Sequence, residues 1–177
     1  MRLRQQLERI YDTYAELLFQ YFRTRMRSDE NARELLQDFF AKLGDKCSDD
    51  SIPANLKNEK AWIFAVARNL MIDRIRRIET RQRFNQALED DVSHTNLFAD
   101  SRDPDTTQLR ERLSSALMDL PEAQRATVYL KLIAGMTFEE IATAEGISSN
   151  TAVSRYRYGI DKLQATLRPV YNELTKP

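Results

Sequence analysis

Residues 137–163 read TFEEIATAEGISSNTAVSRYRYGIDKL, and this stretch decides the fold. Thr137 followed by Glu140 is a capping box, which satisfies orphan backbone N–H groups where a helix starts. Phe138, Ile141 and Ala142 then lay an apolar stripe on that first helix. Gly146 stands where the turn needs a positive φ, which costs little without a Cβ. Ile147 tucks in behind it and Ser148 caps a second helix. In that helix Ala152, Tyr156, Ile160 and Leu163 recur every three or four residues and form the packed face. Asn150, Val153, Ser154 and Arg157 fall on the opposite side, and Arg155, Tyr158 and Lys162 lie on the flank, placed for phosphates. The pattern predicts a helix-turn-helix, whose second helix enters a DNA major groove. An ordinary helical hairpin has the same local signature, so the rest of the chain decides between them.

The chain has 177 residues, enough for one large domain or two small ones. Charged residues are abundant, Gly and Pro are scarce and strand-like alternation is nearly absent, which suits an all-α protein. The formal net charge is zero, but it is unevenly placed: residues 1–78 are slightly basic, 79–106 acidic and the remainder nearly balanced. Any affinity for nucleic acid therefore rests on local patches. Cys47 is the only cysteine, so neither an intrachain disulfide nor a thiolate metal cluster is expected. His94, the only histidine, stands in a polar segment and argues against a His-based metal site. No metal or cofactor is expected. The N-terminal MRLRQQLERI has charges throughout, unlike a signal peptide, and no apolar run approaches the roughly 20 residues of a membrane span. The expected location is the cytoplasm.

Helical spacing runs through Leu3, Leu7, Ile10, Tyr11, Tyr14, Leu17, Leu18, Tyr21 and Phe22, predicting a long first helix that ends in Arg23, Arg25 and Arg27. A second helix is expected from Asp29, with Ala32, Leu35, Leu36, Phe39, Phe40 and Leu43 on one face and Gly44 as its stop. A third is expected from about Asn58 to Arg77, with an apolar centre that places it between other helices. Residues 79–106, closed by Pro104, lose the periodicity and read as an acidic linker. From Gln108 the helical period returns, with Pro121 at the first position of a further helix, Gly135 ending it, and a tail expected to fray after Pro169. The expected organisation is two small helical domains, 1–78 and 107–177, joined by the linker 79–106.

Three segments, ENARELLQDFF (30–40), AWIFAVARNLMIDRIRR (61–77) and 120–163, stand in an order and spacing that resembles the sigma-70 family of bacterial RNA polymerase sigma factors, of the extracytoplasmic-function (ECF) type. The resemblance covers nearly the whole chain. It implies a region 2-like domain that binds core polymerase and the −10 element, and a region 4-like domain that binds the −35 element. Trapping bases flipped out of a duplex needs apolar walls, a hydrogen bonder for a base edge and cations for the backbone. Trp62, Ala65, Asn69 and Ile72 share a helical stripe, and Arg68, Arg74, Arg76 and Arg77 supply cations. The resemblance puts the base-contacting Asn at Asn69. Trp62 suits either this surface or the core, whereas Phe64, Val66 and Leu70 read as core.

Within ELLQDFF an apolar centre with a charged rim suits a partner helix. Leu35, Leu36 and Phe39 are at least as well explained as core; Arg33, Gln37, Asp38 and Phe40 are the residues the resemblance assigns to core polymerase. It also routes the linker, with Asp90 and Asp91, through the RNA exit path. On the helix-turn-helix it implies −35 contacts by Asn150, Thr151, Val153, Ser154, Arg155, Arg157 and Tyr158. The family often carries Lys or Arg where Val153 stands; Val meets a thymine methyl and cannot donate to guanine. An anti-sigma factor is a further implied partner. The alternative is a free-standing helix-turn-helix regulator that binds duplex DNA as a dimer. It leaves residues 61–77 unused and lacks a heptad seam. No Gly-rich phosphate loop or nucleophile–His pairing supports an enzyme.

Overall fold

The computed structural model describes residues 2–26, 28–47, 58–84 and 104–174. They form seven helices: α1 (Arg2–Met26), α2 (Asp29–Cys47), α3 (Glu59–Phe84), α4 (Pro104–Met118), α5 (Glu122–Leu132), α6 (Phe138–Glu145) and α7 (Ser149–Leu174). Among the described residues there is no strand, as the composition predicts.

Local chemistry accounts for most helix boundaries. Ser28 opens α2, its Oγ accepting from the Asn31 N–H at 3.3 Å, and Asp29 and Glu30 put negative charge on the first turn. Asn58 caps α3 through its Oδ1, which accepts from the Ala61 N–H at 3.1 Å. Pro121 precedes α5 in an extended conformation (φ −51°, ψ 138°), one position earlier than expected. After α5 the chain reverses through Gly135 at φ 66°, and the Met136 N–H reaches back to the Leu130 carbonyl at 3.0 Å.

Four helix boundaries differ from the sequence reading. Gly44 does not stop α2, which continues to Cys47. Among the described glycines only Gly135 and Gly146 take the left-handed backbone that terminates a helix. α3 runs past Arg77 to Phe84, because IETRQRF holds no Gly or Pro and is rich in good helix formers. α4 in turn begins at Pro104, where a missing N–H costs nothing. Helix thus occupies both ends of the stretch expected as a linker; Asp90 and Asp91 lie outside the described residues. Finally, α7 passes through Pro169 to Leu174 rather than ending there. Proline's φ is already helical, so α7 accommodates it, at the cost of one hydrogen bond and of crowding between its ring and the carbonyl four residues back.

α1 and α2 form a helical hairpin against which α3 packs; α6 lies along α3, α5 rests on α1, and α7 crosses α5. One core runs through both halves of the chain. It joins Ile10, Leu18, Tyr21 and Phe22 of α1, Leu35, Phe39 and Leu43 of α2, and Ile63, Phe64 and Met71 of α3 to Ala126, Tyr129 and Leu130 of α5 and Ile141 and Ala144 of α6. Each large side chain buried there contributes about 1.5–3 kcal/mol. A smaller cluster of Ala116, Leu117, Leu120, Val128 and Leu163 ties α4 to α5 and α7.

Candidate nucleic-acid interface

The helix-turn-helix forms as its residues dictate. Glu140 N–H donates to Thr137 Oγ1 at 3.2 Å, and the Glu140 carboxylate accepts from the Thr137 N–H at 2.7 Å, closing the capping box. That backbone bond is the main reason the Glu140 carboxyl sits below its ordinary pKa. α6 ends at Gly146 with φ 61° and ψ 40°, the left-handed cap. Ser148 Oγ then accepts from the Thr151 N–H at 3.1 Å and starts α7. Ala152 and Leu163 are buried, Tyr156 and Ile160 half-buried, and Tyr156 meets Phe138 edge-on at 5.5 Å between ring centroids.

The opposite face of α7 is open. Asn150, Val153, Ser154 and Arg157 are all exposed, and Val153, 40% exposed, is the apolar residue among them. Tyr158 is more open still at 62%, whereas Arg155 is half-buried. Thr151 is committed in part to the turn: its Oγ1 lies 2.8 Å from Ser148 Oγ. A residue the sequence reading passed over sets the pose of this helix. A Cβ on Gly159 would stand 2.7 Å from Val128 Cγ2, so the glycine is what lets α7 approach α5. Its signal in the sequence was a glycine inside an unbroken helical period.

On α3 the residues expected near the −10 strand separate into two groups. Asn69, Arg76 and Arg77 are exposed and Trp62, Ala65 and Ile72 half-buried, so one stripe presents an amide, an indole and cations outward. Trp62 packs against the core and stays half-buried. Arg68 and Arg74, expected with them, are half-buried and each meets a carboxylate on another helix. Arg68 turns toward α6, its Nε 3.8 Å from Glu145 Oε2. Arg74 turns toward α2, where it pairs with Glu34 and lies 3.9 Å from Asp38 Oδ2. Helix periodicity reports the angle around an axis and not which neighbour occupies it.

On α2, Arg33, Gln37 and Asp38 are exposed while Leu35 and Phe39 are core and Leu36 is half-buried. Phe40 is half-buried on the flank toward α1, its ring 4.9 Å from that of Tyr11. Asp38 occupies the other flank, beside Arg74. Arg33 leans the same way as Phe40, over the Phe19 ring of α1 at 6.0 Å, so Arg33, Gln37 and Phe40, three or four residues apart, share one stripe of α2 and Asp38 stands to its side.

The basic end of α1 does something the sequence did not suggest. Arg23 is buried, bonds Asp29 at 2.8 Å and lies over the Phe19 ring. Arg25 pairs with Glu122 of α5 and Glu145 of α6. Tyr21 OH donates to Glu145 Oε1 at 2.6 Å, and burial first, then that carboxylate, pushes the phenol well above its usual pKa. Tyr129 OH reaches the Leu17 carbonyl at 2.9 Å, and its burial raises its pKa as well. Residues more than a hundred positions apart meet here, so no local pattern could pair them.

Comparison with known proteins places this geometry. The family model of sigma-70 region 2 matches residues 10–82, and that of sigma-70 region 4 matches residues 110–163. The ECF RNA polymerase sigma factor SigX of Bacillus subtilis is 25% identical over 169 residues, covering 93% of this chain and 85% of the relative. SigL of Mycobacterium tuberculosis is 27% identical over 162 residues, with 90% and 87% covered. Among solved structures, the sigma factor RpoE in complex with the anti-sigma factor NepR from Bartonella quintana superposes with a TM-score of 0.72. It covers 93% of this chain and 98% of that one at 21% identity, a likeness of fold.

Proposed function

Because the chain belongs to the sigma-70 family, as a sigma factor of the extracytoplasmic-function type, we propose that its two outward faces read the two elements of a promoter. The protein confers promoter-specific initiation on bacterial RNA polymerase, and it acts by binding. Its partners are core polymerase, promoter DNA and an anti-sigma factor. Among the described residues no helix is long and apolar enough to cross a membrane. The sigma-factor reading places its work in the cytoplasm.

One observation carries the assignment of sites. The chain presents two separate exposed faces suited to nucleic acid: Asn69 with Arg76, Arg77 and the edge of Trp62 on α3, and Asn150, Val153, Ser154 and Arg157 on α7. The α3 face offers a stacking surface beside an amide and cations, the set that holds an unstacked base and its backbone. The α7 face offers amide, hydroxyl and guanidinium donors on a helix whose opposite side is packed, as a groove-reading helix requires. Tyr158 and Arg155 flank it for phosphates. Arg33, Gln37, Asp38 and Phe40 on α2 meet the polymerase clamp, and Thr151 holds the start of the reading helix. A dimeric regulator would use the α7 face alone.

The test is run-off transcription with purified bacterial core polymerase on a pool of promoters. Wild type is expected to drive initiation from a defined set, with Asn69→Ala losing most activity after duplex binding is retained. Arg157→Ala should weaken −35 binding. Val153→Arg should move the preference at one −35 position from thymine to guanine by about 1–3 kcal/mol, which is about fivefold to 150-fold in relative use. Duplex binding without any binding to core polymerase would leave the dimeric regulator standing instead.

A further inference from the structure

The outward face of α7 carries one carboxylate among its amide, hydroxyl and guanidinium donors. Asp161 is exposed. An α-helix turns about 100° per residue, which puts Asp161 within about 40° of Asn150, Ser154 and Arg157 around the axis. A negative charge therefore stands on the midline of the face turned toward a polyanion. It is not used by the fold. No ion pair of Asp161 occurs among the described residues, and Arg157, one turn back, forms none either. Lys162 follows Asp161 directly, and adjacent residues of a helix do not face each other.

Position along the axis decides what Asp161 meets. It lies about 16 Å beyond Asn150 at 1.5 Å per residue, whereas the major groove is about 12 Å wide. α7 has 26 residues, more than a groove of that width takes in. The N-terminal residues of a reading helix are the ones that reach base edges. With Asn150, Ser154 and Arg157 at the bases, Asp161 stands at the rim of the groove, opposite phosphate. Cations guard only one side of it: Arg155 and Lys162 lie on one flank of α7, Val153 and Gln164 on the other. We propose that Asp161 is a specificity-determining residue that acts by repulsion. It disfavours poses in which α7 lies along the duplex backbone and leaves the tilted pose in which its first turns are inserted. The proposal rests on the reading of α7 as the helix that meets the −35 element.

Backbone contacts carry no sequence information and supply most of the affinity for random DNA. A helix face bearing cations alone would hold wrong sites almost as well as the right one. Discrimination is a difference of affinities, so penalising the wrong complex widens it as much as favouring the right one does. In the inserted pose the tilt carries Asp161 away from phosphate, and its charge costs that complex little. Laid along the backbone, the same charge is pressed onto the strand. Salt screens this repulsion, because the Debye length falls from about 30 Å at 0.01 M to about 10 Å at 0.1 M.

The experiment measures binding of the full-length protein, assembled with core polymerase, to two short duplexes. One bears only the −35 sequence selected in the transcription assay; the other has the same composition in shuffled order. Core polymerase alone supplies the blank. Wild type, Asp161→Asn and Asp161→Glu are compared at low and at physiological salt; the position is exposed, so neither substitution disturbs the core. At low salt Asp161→Asn should bind the shuffled duplex about fivefold more tightly and the −35 duplex less than about twofold more tightly, so that the ratio between them falls. The gap should narrow as salt rises, and Asp161→Glu, which keeps the charge, should match wild type. An equal gain on both duplexes would overturn the proposal, since Asp161 would then set overall affinity and not choice. Unchanged binding to both would overturn it too, as would a Glu variant that behaves like the Asn variant. A loss confined to the −35 duplex would replace it with a carboxylate that accepts from a cytosine amino group. A wild-type complex that binds both duplexes alike would instead overturn the reading of α7 as the −35 helix.

Discussion

Two glycines in helices show how much a single methyl group depends on its surroundings. A Cβ on Gly159 would press into Val128, while one on Gly44 would meet nothing within 4 Å. Gly159→Ala should therefore push α7 off α5 and destabilise the protein by about 1–3 kcal/mol. Gly44→Ala should stabilise it by about 0.5–1 kcal/mol, by lowering the entropy of the unfolded chain and restoring helix propensity. Urea titrations of the two variants should shift the midpoint in opposite directions; a like shift would contradict the packing of α7 on α5. In the sequence Gly44 reads as a helix stop and Gly159 lies inside an unbroken helical period, and neither pattern reports what a Cβ would meet. The difference is in the partner helix.

At the scale of the element, α6 is held mainly by its own ends. Removing the capping hydroxyl with Thr137→Ala should cost about 1 kcal/mol. The same box makes a prediction about acid. Glu140 and Glu59 both have carboxyls held below the ordinary 4.5, Glu140 chiefly by the Thr137 backbone N–H and Glu59 chiefly by its bond from Arg9. A lowered folded pKa means that the unfolded chain binds protons first. The stability these groups give is complete above about pH 5 and is lost as pH falls through 4.5 toward the folded values. Denaturant midpoints measured from pH 6 down to pH 3 should fall less steeply in Glu140→Gln than in wild type. An unchanged slope would show that the box is not formed in solution. The helix-turn-helix was legible for the reason that makes it testable: caps, turn glycine and apolar period all lie within four residues of what they act on. Helix ends without such a device, at Arg77 and Pro169, were placed wrongly from the sequence.

For the whole molecule, the continuous core from α1 to α6 predicts one unfolding transition. Two independent domains would melt separately, whereas here Tyr129, Leu130 and Ile141 share a core with Tyr21 and Phe64. Calorimetry should give a single peak whose calorimetric and van't Hoff enthalpies agree. Glu145→Gln, by loosening the contact between halves, should broaden it or split it in two. A wild type with two resolved transitions would mean that the halves do not share a core in solution.

The sequence by itself determined the helices, the helix-turn-helix with its caps, the outward face of α7 and the membership of Asn69 in an exposed stripe of α3. Each follows from interactions within a turn or two of the chain, or from a period that repeats along one helix. Only the tertiary structure decided the fate of Arg68, Arg74, Arg25 and Glu145. Their charges look alike in the sequence to those that face solvent, but each meets a partner on another helix. An ion pair between distant segments depends on where two helices cross, and that crossing is set by the sum of packing over the whole core.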